Sequence, residues 1–98
     1  MRKSSGRNHK PASIELLIEL LIQLDPNLGR GDWIKVLMAV SHETGGSEEG
    51  FHLVDIWSSG GQTYPGSRAL YKQWKHIDPD HEPAVTVGTL IWMAKRSR

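Results

Sequence analysis

The sequence predicts an all-α fold, a single small bundle of about five short helices. Three observations carry that expectation. Apolar residues recur at helical spacing in one segment after another, as in Trp33, Val36, Leu37 and Val40. Glycine and proline clusters separate those segments. Nothing reads as a strand, since Val85-Thr86-Val87 is β-prone but short and isolated. The 98 residues make one domain with a modest core and no visible internal repeat.

Residues 1–11 are polar, include Gly6 and Pro11, and read as a disordered basic lead-in, either a natural arm or an expression remnant. The helical domain is expected over 12–96. Its first helix runs from about Pro11 or Ala12 to Leu24. Asp25-Pro26 ends it, because a residue before proline is pushed out of the α region. Ile14, Leu17, Ile18, Leu21 and Leu24 share one face. Leu16, Leu20 and Ile22 widen that face until only Glu15, Glu19 and Gln23 remain as a polar stripe. A helix so apolar requires burial on several sides. It is either the central helix or, the reading preferred for at least one edge, it meets another chain or domain.

Asn27 to Asp32 is a turn punctuated by Gly29 and Gly31. The second helix runs from about Asp32 to His42 or Glu43 and presents Trp33, Val36, Leu37 and Val40 on one face. Gly45-Gly46 stops it, since glycine takes positive φ cheaply. Ser47 suits an N-cap, and Glu48 and Glu49 suit the positive end of a third helix, Glu48 to about Ser59. That helix carries Leu53, Val54 and Trp57 on one side and Asp55 on the other. Gln62 to Gly66 is loop. A fourth helix, Ser67 to His76 or Ile77, has Leu70, Tyr71, Trp74 and Ile77 as its apolar face. Residues 78–84 hold two prolines and three acids and read as loop. Thr86 is then the N-cap of a fifth helix, Val87 to about Lys95, with Val87, Leu90, Ile91 and Ala94 facing inward.

Composition narrows the function classes. Without cysteine there is no disulfide framework, no thiolate nucleophile and no sulfur-ligated zinc. That suits a reducing cytoplasm, the expected location. The run Ile14 to Leu24 is too short and too charged to span a membrane, and no small-residue cleavage site follows it. Net charge is only +1, but it is unevenly spread. Arg2, Lys3, Arg7 and Lys10 form one basic end, and Lys95, Arg96 and Arg98 the other. Acids gather in the middle and in Asp78 to Glu82. Basic ends fit nucleic-acid contact. They also fit solubilising tails, the first reading for the amino-terminal arm alone.

Arg68, Lys72 and Lys75 recur at i, i+4 and i+7 on the fourth helix, opposite its apolar face, and no acid occurs between Tyr64 and Ile77. Such a helix can dock by one stripe and offer cations to phosphates with the other. A solvated lysine face is the equal alternative. Trp92 falls outside the inward stripe of the fifth helix, next to Thr89 and Arg96. It covers the end of a small core or meets a neighbouring domain. The second reading is stacking on an unpaired base. No metal-binding, paired-carboxylate or phosphate-loop motif is present, and the serine pairs have no base and orienting acid at interpretable spacing. His42-Glu43, at a helix end, and His81, among acids, read as surface residues. A capped helical domain with no site residues reads as a binding or assembly module rather than an enzyme. It calls for no cofactor and no metal.

Several stretches in order resemble a known family: Asp32-Trp33-Ile34-Lys35-Val36, His42 to Phe51, Trp57-Ser58, Tyr64, Trp74 and Thr86-Val87-Gly88-Thr89-Leu90. The ordered set resembles the primase C-terminal domain of the second type, a small helical module of phage, plasmid and integrated-element replication proteins. The resemblance covers roughly Leu17 to Ala94. Where that family often carries an Asp after the tyrosine, this chain has Pro65-Gly66-Ser67. The chain is then either an excised domain or a stand-alone relative. The resemblance implies a non-catalytic helper in priming. It would hold single-stranded DNA template or position a primase-polymerase domain relative to a helicase. On that reading Arg68, Lys72 and Lys75 contact phosphates, helped by Lys95 and Arg96, with Arg30 and Lys35 as further cations and Trp92 as a stacking residue. The alternatives are a protein-interaction module that docks or self-associates through the first helix, and a stand-alone phage-encoded regulator.

Overall fold

Ser13 opens the first helix. Its hydroxyl accepts the Leu16 N–H at 3.1 Å, satisfying one donor that a helix start leaves free. The helix α1 therefore runs Ile14–Ile22 and does not begin at Pro11 or Ala12. The computed structural model describes residues 12–96. The expected lead-in over residues 1–11, and Arg98 of the basic end, lie outside the described residues.

The second helix, α2, runs Arg30–Thr44, two residues earlier at its start than expected. The Gly29 carbonyl accepts the Trp33 N–H at 2.9 Å, so Gly31 is absorbed into the first turn and does not break the helix. Its stop is where the glycines put it. Gly45 and Gly46 take φ of 65° and 72°, and the Gly46 N–H reaches back to the Ser41 carbonyl at 2.8 Å. Ser47 then caps α3, Glu48–Ser58, by accepting the Gly50 N–H at 3.1 Å. The helix α4 runs Ser67–Lys75 and α5 runs Val87–Arg96. There is no strand among the described residues, and the all-α expectation holds.

The helix α2 is the centre. It packs on α3 and on α5, while α1 lies against α5 and α3, and α4 leans on α3. Val36, Leu37, Ala39 and Val40 of α2 are all fully buried. The core continues through Leu17, Leu21, Val54, Leu70, Trp74 and Leu90. The apolar excess of α1 is not absorbed: Leu16, Ile18 and Ile22 remain exposed. The inward faces of α4 and α5 are also narrower than expected. Tyr71 and Ile91 are each 37% exposed, and Met93 is buried instead, one turn beyond Leu90.

Two polar residues expected at the surface are structural. Glu43 is only 4% exposed. Its two carboxylate oxygens accept the Ala12 and Val87 N–H groups, each at 2.8 Å. Val87 is the first residue of α5, so Glu43 caps that helix from another part of the chain while the Thr86 hydroxyl accepts the Gly88 N–H at 3.2 Å. His42 is half-buried and donates from Nδ1 to the Pro79 carbonyl at 2.8 Å, tying the 78–84 loop to the end of α2. Their place at the end of an amphipathic helix hides both roles, because the partners are 31 or more residues away.

The turn between α2 and α3 is tight enough to demand glycine a third time. A Cβ at Gly50 would run into the Thr44 side chain, whose hydroxyl is held on the Val40 carbonyl at 2.7 Å. Gly50→Ala is therefore expected to lower stability by about 1–3 kcal/mol in urea unfolding. Glu43→Gln leaves one buried backbone N–H facing an amide NH₂ and should cost about 1–3 kcal/mol. The exposed control Glu19→Gln should stay within about 0.5 kcal/mol of the parent.

Candidate nucleic-acid interface

The fourth helix is anchored by its apolar stripe. Leu70 and Trp74 are buried, and the Phe51 ring of α3 meets Tyr71 edge-on at 4.9 Å and lies 6.4 Å from Trp74. That anchoring turns Arg68, Lys72 and Lys75 outward, and all three are exposed. None is in an ion pair among the described residues. The Lys75 ammonium lies 5.6 Å from the Tyr71 ring centroid, and the Lys72 carbonyl accepts from His76 Nδ1 at 2.7 Å.

The start of α4 has no side-chain N-cap. Gly66 precedes it at φ 97°, a conformation open to glycine. Its position is set instead by Asp55 of α3. The Ser67 hydroxyl donates to Asp55 Oδ2 at 2.7 Å and the Tyr64 hydroxyl to Asp55 Oδ1 at 2.6 Å. Asp55 thus fixes where the basic stripe begins. The hydrogen bond to Asp55 raises the Tyr64 pKa above its ordinary 10.0, because losing the proton would set a phenolate against a carboxylate.

The remaining cations fall into two further groups. The helix α5 packs on α2, and so Lys35 and Trp92 line one open concavity with Val85, Thr86 and Thr89. Trp92 is 57% exposed. The Arg96 guanidinium sits 4.4 Å from its ring centroid and 3.6 Å from Asp32 Oδ2. Arg96 is thus already shared between an aromatic face and a carboxylate, though both ends of that ion pair are solvated and it is weak. Lys95 is exposed beside it. Arg30 lies 6.0 Å from the Trp33 ring centroid, at a separate cleft of about 390 Å³ lined also by Ser58, Tyr64 and Gln73.

The eight expected contacts are therefore not one patch. Lys35, Trp92, Lys95 and Arg96 belong to the α2–α5 side. Arg68, Lys72 and Lys75 belong to α4, which packs on α3. Arg30 joins the α4 group through the cleft, because Gln73 of α4 lines it too. Of the four tryptophans, Trp92 is the exposed one, while Trp33 is half-buried at the Arg30 cleft. Trp33 Nε1 donates to Ser58 at 3.1 Å, Trp57 Nε1 donates to the Leu24 carbonyl at 3.0 Å, and Trp74 is buried. The Arg30 cleft was not expected. Its walls come from two loops and three helices, and no periodic pattern marks such a set. Among the described residues no group of His, Asp or Glu could hold a metal ion. No helix there is long and apolar enough to cross a membrane.

A family model described as Primase C terminal 2 (PriCT-2) matches residues 17–94. No curated protein and no solved structure matches the chain.

The Asp55 link makes a prediction for alkaline pH. Because the folded pKa of Tyr64 is raised, its contribution to stability is full below the unfolded value of 10.0 and is lost as pH climbs through the higher folded value. Tyr64→Phe and Asp55→Asn should each remove that alkaline loss, read as thermal midpoint against pH. In an ultraviolet titration, Asp55→Asn should bring the Tyr64 phenol back toward 10.0.

Proposed function

The chain belongs to the Primase C terminal 2 family, and we propose that this primase-associated C-terminal module is a non-catalytic one that holds single-stranded template DNA. The observation that carries the reading is the α4 stripe. Three exposed cations at helical spacing, none in an ion pair among the described residues and with no acid on their helix, form a surface suited to phosphates. The solvated Trp92 beside Lys35, on the separate α2–α5 side, offers a second contact for a strand long enough to reach both faces, a ring on which a base stacks without sequence preference. Arg68, Lys72 and Lys75 are the primary phosphate contacts. Lys35, Lys95 and Arg30 are supporting cations. Arg96 contributes chiefly by holding the Trp92 ring, since Asp32 competes for its charge.

A second reading, docking onto a primase-polymerase or helicase domain so as to position one against the other, is favoured by the exposed aliphatic residues of α1. It uses different residues and is compatible with the first.

Fluorescence anisotropy with a labelled oligo-dT strand tests the DNA reading. Binding should weaken steeply with salt, by about 0.7 in log K per log salt for each phosphate contact. Changing Arg68, Lys72 and Lys75 together to Gln should cost about tenfold or more at low salt and flatten that slope. Trp92→Ala should cost about 1–3 kcal/mol with the slope unchanged. Binding that ignores the triple change would remove α4 from the interface.

A further inference from the structure

The helices α1 and α3 carry no lysine or arginine at all; their charged residues are Glu15, Glu19, Glu48, Glu49 and Asp55. Between them runs an open groove of about 240 Å³ lined only by Ile18, Leu21, Ile22, Leu53, Ile56 and Trp57. Leu21 and Trp57 are buried and form its floor, and Ile22 and Ile56 stand on its walls at 78% and 72% exposure. These two are the most exposed large hydrophobic residues of the described chain. By helical register Glu15 and Glu19 lie one turn before Ile18 and Ile22, Glu49 lies one turn before Leu53, and His52, the single base on these two helices, lies one turn before Ile56. The groove is thus apolar within and acidic at its rim.

Several occupants fail on charge or composition. Residues 1–11 bring basic side chains but only Met1 and Pro11 as apolar ones, too few to fill the groove. A second copy paired face to face would set these carboxylates against each other with no lysine or arginine on either helix, and His52 as their single base, to answer them. A polyanion or an anionic membrane is repelled by the same rim. The remaining fit is a helix with aliphatic anchors at i, i+3 or i+4 and i+7, flanked by lysine or arginine. We propose that the α1–α3 groove docks a basic amphipathic helix of a partner protein, on a face separate from the cations assigned to DNA. The apolar anchors supply the affinity. The carboxylate rim selects the sign of the partner and speeds its approach.

The test uses two fluorescein-labelled synthetic helices with the same leucine face, one with lysine and one with glutamate on the polar face. The lysine helix should bind at least about tenfold more tightly than the glutamate helix, and it should perturb the amide signals of α1 and α3. Changing Ile22 and Ile56 together to Ser should weaken binding of the lysine helix by about tenfold or more. Both side chains are exposed, so the fold should persist, as checked by thermal melting. Changing Glu15, Glu19 and Glu49 to Gln leaves the aliphatic lining intact and should weaken binding about threefold while flattening its salt dependence. Oligo-dT affinity should be unaltered by the isoleucine changes, which keeps this result independent of the DNA reading. Equal binding of the two helices, or unchanged binding after loss of both isoleucines, would overturn the proposal. So would a concentration-dependent dimer in sedimentation that the isoleucine changes abolish, since the occupant would then be a second copy.

Discussion

The carboxylate of Glu43 is the contact on which the bundle's connectivity depends. It sits in the last turn of α2, where the exposed carbonyls of a helix disfavour negative charge. The arrangement is stabilising because each oxygen accepts a donor from a different segment. One is the Ala12 N–H, just ahead of the cap of α1, and the other is the Val87 N–H, at the first turn of α5. The positive ends of two helices thus meet one charge supplied by a third. The placement of α1 and α5 against α2 follows from that convergence as well as from the leucines between them. Burial raises the stakes, since an unmatched donor in a dry site costs more than one at the surface.

Much of this fold is legible in the chain because its signals are local. Gly45-Gly46, Ser47 and Thr86 end or begin helices through bonds spanning only a few residues, and the buried faces of α2 follow from spacing alone. What escapes is what distance in sequence hides. Glu43 looks like a frayed helix end until Val87 is brought to it, 44 positions later. Asp55 looks like a solvent-facing acid until Tyr64 and Ser67 fold back onto it. Met93 displaces Ile91 from the core because α5 meets both α1 and α2, and the direction of that approach is not encoded in α5 itself. One local clue to Glu43 existed. A lone acid in the final turn of a helix works against the macrodipole and so suggests another duty.

The candidate contacts divide in the same way. The α4 stripe is readable from spacing, and the structure leaves its three side chains exposed. Trp92 and Arg96 are also adjacent by register, yet their joint geometry with Asp32 and Lys35 exists only because α5 lies on α2. Segregation of charge matters more here than its sum. A net charge of +1 conceals two helices without lysine or arginine, α1 and α3, and two without an acid, α4 and α5.

The way α4 is held has a further consequence. It packs chiefly on α3, through Leu70 and Trp74, and its entry depends on hydroxyl–carboxylate bonds that are partly in solvent. The helix α2, by contrast, is enclosed on several sides. Amide hydrogens in α4 are therefore expected to exchange through a local opening below the global unfolding free energy, whereas those in the middle of α2 should require the whole domain to open. The element bearing the basic stripe is thus expected to open more readily than α2, and a polyanion that grips it should slow that exchange without touching the core.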